Sequence, residues 1–164
     1  MKNSNTPTRR HLLAGMASLA ALSAPAQVTS SATASAKTGD LVGNTLHKIV
    51  FQLNKADDAY QEAIFNSISA VLKKYVDDVS IVVVVWGPGI HLLAKKPKRP
   101  VPKLLQDRAR SMAEAYGIRF IACGNTMHSV GWSPSDMFDF VQVEDVGAAA
   151  VMELQEKGYA YVAW

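Results

Sequence analysis

The strongest constraint on the fold of this 164-residue chain is a run of five consecutive β-branched residues at positions 81–85. The run lies within a predicted strand over residues 79–86, which ends at a Gly-Pro-Gly sequence at 87–89. A strand with one solvated face alternates apolar and polar residues, whereas a strand covered by helices on both faces is apolar throughout. The run therefore predicts a strand of a parallel sheet that lies between two layers of helices.

Segments typical of strands alternate with segments typical of helices from residue 47 onwards. The predicted strands are residues 47–53, 79–86, 118–123, 140–143 and 159–162, and the predicted helices are a segment capped by Asp57 or Asp58, residues 103–116 and residues 146–157. Strands that alternate with helices form βαβ units with right-handed crossovers. We therefore expect an α/β fold, a three-layer α/β/α sandwich with a mainly parallel five-stranded sheet, in one domain over residues 46–164.

The amino terminus has the features of an export signal. Arg9 and Arg10 directly precede an apolar stretch at residues 12–22, and a small-x-small cleavage pattern follows at residues 24–26. Paired arginines in this setting indicate the twin-arginine route, and the alternative is a Sec signal that happens to contain them. The stretch is too short to span a bilayer comfortably. The sequence predicts a cleavable signal peptide over residues 1–26 and a periplasmic protein with no stable membrane span.

The charge balance changes when this segment is removed. The chain has a net charge of +3, and Lys2, Arg9 and Arg10 are the charged residues that precede Gln27. The mature chain is therefore neutral, so nucleic-acid binding driven by bulk charge is not expected. Residues 27–45 are mostly small or polar and predict a flexible tether.

The chain contains a single cysteine, Cys123, at the end of the predicted third strand. Ligands of parallel α/β sheets bind at the carboxyl ends of the strands, where we expect the loops after the first three strands to converge. The candidate ligand-binding residues there are Gly87, Pro88, Gly89 and His91 after the second strand, and Gly124, Asn125 and His128 after the third. Helix N-termini and nearby cations lower a thiol pKa, and either histidine would serve as a base or a positive neighbour. The alternative is a structural cysteine, because free cysteines are among the most buried residues.

Two further groups of residues are candidates for binding. A basic, proline-rich loop at residues 95–103 would attract an anionic ligand or partner, or would simply be a solvated loop. Cys123, Met127 and His128 supply soft ligands for Cu(I), although their spacing matches no established metal site. We therefore predict neither a metal nor a cofactor. The Gly-Pro-Gly sequence is not a nucleotide-binding fingerprint.

Three segments, residues 86–93, 117–127 and 147–161, together resemble the DsrE/DsrF-like family and occur in the family's order. The resemblance covers nearly the whole chain from residue 47 to residue 164. It implies a three-layer α/β/α domain that assembles into trimers or hexamers. In the family's sulfur-relay members, sulfur is carried as a persulfide on a cysteine at the end of the third strand. Cys123 matches that position.

We therefore expect a periplasmic sulfur carrier of the sulfurtransferase type, with a persulfide on Cys123 and with an unknown sulfur donor and acceptor. This chemistry needs an exposed thiolate, a nearby source of positive potential and no resolving cysteine. The alternative is a non-catalytic oligomeric module that binds a small ligand or a soft metal.

Overall fold

A computed structural model describes residues 45–76 and 78–164 of the chain. The predicted signal peptide over residues 1–26 and the predicted tether over residues 27–45 lie outside the described residues, apart from Thr45. Among the residues that are described, no helix has the length and apolar character needed to cross a membrane.

The described chain forms a five-stranded sheet with helices on both faces. Its strands are β1 (His47–Leu53), β2 (Val79–Val85), β3 (Arg119–Cys123), β4 (Val141–Glu144) and β5 (Ala160–Val162), and its α-helices are α1 (Asp58–Tyr75), α2 (Lys103–Tyr116), α3 (Gly124–Ser129) and α4 (Gly147–Glu156). Short 3₁₀ helices span Gly87–Leu93 and Pro134–Asp136. The strand order is β4-β3-β2-β1-β5, and all neighbouring strands are parallel. The predicted fold class is confirmed, whereas α3 and the 3₁₀ helices were not predicted.

The β-branched run in β2 contributes to two separate hydrophobic cores. Ile81, Val83 and Val85 pack in the core on the α1 and α2 side of the sheet. Val82 and Val84 pack in a second core against α4. The run is continuously apolar because each face of β2 is covered by helix, which is the arrangement that the sequence predicted.

The helix boundaries have local causes that are visible in the sequence. Asp57 is the N-cap of α1, and its side chain accepts a hydrogen bond from the Tyr60 N–H at 2.7 Å. Helix α2 ends at Gly117, which has φ +64°, in the left-handed region that glycine tolerates best. Local signals of this kind place both helices within the predicted segments.

Strand β3 carries alternate side chains to the two cores and so determines which way the cysteine faces. Phe120 and Ala122 pack on the α1 and α2 side, while Ile121 packs against α4. Side chains two residues apart in a strand share a face, so Cys123 lies on the α4 side at the carboxyl end of the sheet.

Candidate functional site

The thiol of Cys123 lies against the connection between β4 and α4. Its Sγ accepts a hydrogen bond from the backbone N–H of Gly147, the first residue of α4, at 3.2 Å. The carbonyl oxygen of Asp145 is 4.0 Å from the same sulfur. Cys123 also pairs in register with Glu144, the last residue of β4. The end of β4 and the start of α4 therefore form one wall of the site.

The prediction of an exposed thiolate is wrong, because only 6 % of Cys123 is accessible to solvent. Gly147 packs so closely that a Cβ at its position would lie 3.0 Å from Cys123 Cβ and 3.1 Å from Trp86 Cε3. The backbone at the start of α4 therefore packs between Cys123 and the indole ring of Trp86. The absence of a side chain at Gly147 allows the helix to cover the thiol.

Two opposing effects act on the pKa of the Cys123 thiol. Burial raises the pKa, because it disfavours the charged thiolate. Hydrogen bonds from the Gly147 N–H, from the Thr126 N–H and hydroxyl, and from the Asn125 N–H favour the thiolate and lower the pKa. The hydrogen bonds prevail together, so the thiol is more acidic than an ordinary cysteine. The positive end of α4 contributes to the same effect.

Backbone and side-chain contacts bring the loops at this edge of the sheet together. The Gly87 N–H donates to Thr126 Oγ1 at 3.2 Å, which joins the loops after β2 and β3. The Asn125 N–H donates to the Asp145 carbonyl at 2.9 Å, which joins α3 to the β4–α4 connection. Thr126 follows Cys123 by three residues, so the hydrogen bond that its hydroxyl accepts from Gly87 links the loop after β2 to the segment that carries the thiol.

The predicted glycines lie where the backbone is tightly packed. A Cβ at Gly89 would lie 2.8 Å from the Leu53 carbonyl oxygen, so the segment after β2 packs against the end of β1 at this point. A Cβ at Gly124 would lie 3.1 Å from Asp145 Cα. Gly89 and Gly124 are buried, while Pro88 is exposed. These glycines allow the loops to approach one another, as close backbone packing requires.

His91 is buried and engaged away from the thiol. Its Nδ1 accepts a hydrogen bond from the Lys98 N–H at 3.1 Å, and its ring packs edge-on against Trp132 at 4.9 Å between centroids. Burial lowers the pKa of His91, and the positive charges of Arg99 and Lys98 lower it further. The imidazole therefore stays neutral at neutral pH, which argues against a role as a positive neighbour of the thiolate.

His128 and Asn125 lie on α3, and both are exposed. Within residues 45–76 and 78–164, no hydrogen bond joins His91 or His128 to Cys123. The backbone of Asn125 belongs to the site, while neither predicted histidine supplies a base in contact with the thiol.

Four residues of the site were not predicted: Trp86, Thr126, Asp145 and Gly147. Trp86 and Thr126 are direct sequence neighbours of predicted residues. Asp145 and Gly147 follow the fourth strand, and the rule that ligands bind at the carboxyl ends of strands applies to that loop too. Extending the rule from three strands to four would have identified both.

The residues suggested for a soft metal do not form a cluster. Met127 is buried in the core on the α1 and α2 side, whereas His128 is exposed. Among the described residues, no group of three or more His, Cys, Asp or Glu side chains is arranged to hold a metal ion. The structure therefore offers no support for copper binding at this edge.

Part of the basic loop is anchored to the protein. Lys95 forms an ion pair with Asp139 at 2.8 Å. The Lys98 ammonium donates to the Val130 carbonyl and lies 5.7 Å from the centroid of the Trp132 ring. The Lys98 contact holds the loop against the end of α3, and the two lysines are among the cations that were expected to attract an anion.

The fold is similar to those of solved proteins with low sequence identity. A protein of unknown function, MTH1491 from Methanobacterium thermoautotrophicum, has a TM-score of 0.64 and 20 % identity, and the match covers 72 % of this chain and 99 % of that one. The ychN protein from E. coli has a TM-score of 0.57 and 15 % identity, over 73 % of this chain and 100 % of that one. BT1422 from Bacteroides thetaiotaomicron, a conserved protein of unknown function, has a TM-score of 0.52 and 16 % identity, over 74 % and 100 %.

No curated protein matches the chain. The model of the DsrE/DsrF-like family matches residues 46–164, which include all the strands and helices of the described residues. This match extends over most of the chain, so the protein belongs to the DsrE/DsrF-like family.

Proposed function

We propose that this protein is a sulfur carrier that holds a persulfide on Cys123. The observation that carries the proposal is the Gly147 N–H at 3.2 Å from Sγ, at the positive end of α4. A donor in this position favours a thiolate, which is the form that attacks sulfur. Membership of the DsrE/DsrF-like family supports the same conclusion.

The proposed reaction balances without a cofactor. The Cys123 thiolate attacks the outer sulfur of a donor such as thiosulfate, a polysulfide or another protein's persulfide. With thiosulfate, a sulfur–sulfur bond forms to Cys123 as the original one breaks, and sulfite leaves with the electron pair. An acceptor nucleophile then attacks the outer sulfur of the persulfide, and the Cys123 thiolate is the leaving group.

The burial of Cys123 adds a requirement to this reaction. Only 6 % of Cys123 is exposed, so a donor reaches its sulfur only if the β4–α4 connection or Trp86 moves. The cover also protects a bound persulfide from solvent reductants between loading and transfer. Access to the thiol is therefore expected to limit the rate of loading.

Intact-mass spectrometry tests the proposal. The purified protein and its Cys123→Ser variant are incubated with polysulfide or thiosulfate, and the intact mass of each is then measured. We expect whole sulfur atoms to be added to the parent protein, to be lost on reduction, and to be absent from the variant. Circular dichroism of the variant serves as the control that its fold is intact.

Burial of the thiol favours the second candidate, a non-catalytic module in which Cys123 only packs. Labelling of the native protein with a polar alkylating reagent separates the two functions. Slow labelling at the rate of global unfolding, with no sulfur loading, supports the module. Labelling much faster than unfolding, together with loading, supports the carrier.

We further propose that the protein is exported to the periplasm and works as a homo-oligomer, a trimer or a hexamer. Arg9 and Arg10 support the twin-arginine route. Cell fractionation of the parent protein and of an Arg9→Lys, Arg10→Lys variant tests this: retention of the variant alone supports that route, and export of both supports the Sec route. Sedimentation velocity of the purified protein measures the oligomer size.

A further inference from the structure

A second group of polar side chains lies at the amino-terminal edge of the sheet, on the face that α4 covers. Lys48 of β1 and Ser80 of β2 are register partners, and Arg119 opens β3 beside Val82. Tyr159 follows α4 and packs on the same face. We refer to Lys48, Ser80, Arg119 and Tyr159 as the amino-edge cluster. Arg119 and Cys123 are four positions apart in β3, which is about 13 Å along an extended strand.

The cluster contains two hydroxyl groups, those of Ser80 and Tyr159, and only one of their two protons takes part in a hydrogen bond among the described residues. Ser80 Oγ and Tyr159 Oη are buried and lie 2.7 Å apart. Arg119 Nη2 donates to the same Tyr159 Oη at 3.0 Å. One hydroxyl proton lies between the two oxygens, and the arginine contact occupies a lone pair. The second hydroxyl proton has no acceptor among the described residues.

Arg119 has one donor atom in the same cluster that makes no hydrogen bond among the described residues. Its Nε is buried and makes no hydrogen bond within the described part of the chain. Its guanidinium carbon is 5.8 Å from the centroid of the Tyr159 ring, and the Lys48 ammonium is 5.9 Å from the same centroid. The three ion pairs among the described residues all lie elsewhere. Buried charged donors are normally paired with an acceptor, so the Arg119 side chain has donor capacity available for a ligand.

The end of α4 accounts for only part of this positive charge. The carbonyls at a helix C-terminus supply about half a negative charge. The Lys157 carbonyl, at the C-cap of α4, accepts a hydrogen bond from the Lys48 ammonium at 3.4 Å. This contact partly satisfies Lys48, whereas among the described residues no carboxylate forms an ion pair with the Arg119 guanidinium.

We propose that the amino-edge cluster binds a tetrahedral oxyanion, a phosphate or sulfate group. A guanidinium presents parallel N–H donors that match such an oxyanion in a bidentate contact. The Lys48 ammonium, 5.9 Å from the centroid of the Tyr159 ring, and the spare hydroxyl proton supply two further donors that a tetrahedral oxyanion can accept together with the guanidinium. The site is independent of the persulfide proposed for Cys123.

Thermal unfolding of the purified protein tests this proposal with inorganic phosphate and with sulfate, at constant ionic strength set with sodium chloride. We expect a saturable rise in Tm, because a ligand that binds only the folded state stabilises it. Arg119→Gln should weaken binding by at least about tenfold, since it removes a charged donor pair. The matched control is Arg108→Gln, which removes an arginine of α2 that bonds to Asn66. It should behave like the parent.

Tyr159→Phe keeps the aromatic ring and removes only the hydroxyl, so it should bind phosphate several-fold more weakly. It provides the test if Arg119→Gln does not fold. Glycerol phosphate distinguishes the two sources of the oxyanion: tighter binding than inorganic phosphate supports a phosphorylated molecule, and weaker binding supports the free ion. The proposal is overturned if neither anion raises Tm saturably, or if both variants bind like the parent.

Discussion

Replacing Gly147 with alanine perturbs the contact that covers the thiol. The new Cβ would lie 3.0 Å from Cys123 Cβ, 3.1 Å from Trp86 Cε3 and 3.5 Å from Cys123 Sγ. Both neighbouring side chains belong to the packed edge of the sheet, so either they or the start of α4 must shift. The displaced helix start would lengthen the hydrogen bond from the residue 147 N–H to the sulfur.

Two opposing effects determine the size of the change in stability. Overpacking a tight site costs about 1–3 kcal/mol. Replacing a helical glycine with alanine normally stabilises by about 0.4–1 kcal/mol, because it restricts the unfolded chain. We expect a net loss of about 1–2 kcal/mol, which corresponds to a fall in Tm of roughly 4–8 °C for a domain of this size.

Calorimetry and the pH dependence of thiol alkylation measure the two consequences. In the parent protein the Gly147 N–H lowers the pKa of the thiol, so Gly147→Ala should move the alkylation profile to higher pH. The control is Ala148→Gly at the next, exposed helical position, which should cost at most about 1 kcal/mol and leave the profile unchanged. A rise in Tm for Gly147→Ala, with an unaltered profile, would refute this account of the site.

Three further predictions follow from other contacts. Thr126→Val leaves the Gly87 N–H without its acceptor and removes a donor to the thiolate. The pKa of the thiol should therefore increase, so that alkylation slows at neutral pH and its pH profile moves to higher pH. His91 has a lowered pKa, so the unfolded chain binds more protons below about pH 6.5, and stability should fall as the pH falls through that range. His91→Asn retains an acceptor for the Lys98 N–H but does not titrate, so urea unfolding should show a flatter dependence on pH. Phe120→Ala removes a fully buried ring and should cost about 3–5 kcal/mol in urea unfolding, and a cost below about 1 kcal/mol would contradict the assigned core.

Local pattern predicted the elements of this fold accurately. Residues 47–53 and 103–116 form the strand and the helix with the predicted bounds. The β-branched run predicted a sheet covered on both faces, and it supplies both cores. These predictions succeeded because side-chain periodicity and capping residues act over a few positions. The 3₁₀ helix at Gly87–Leu93 was not predicted, because glycine and proline residues usually indicate a turn or loop.

The site was predicted less completely than the fold. Sequence placed Cys123 at the carboxyl end of β3, and the structure has it there. The sequence offered its burial only as the alternative, a structural cysteine, because that burial depends on Gly147, which is 24 residues away and belongs to another element. His91 was expected near the thiol, but contacts with Lys98 and Trp132 hold its ring elsewhere.

The sequence by itself therefore determined the parallel sheet, the helices on both faces and the strand end at which the cysteine lies. The tertiary structure alone decided that the thiol is covered, which N–H groups reach it, and which polar side chains meet under the far end of α4. The physical reason is the distance along the chain over which each effect acts. Periodicity records which face of an element is buried, but it does not record which distant backbone packs against the end of that element.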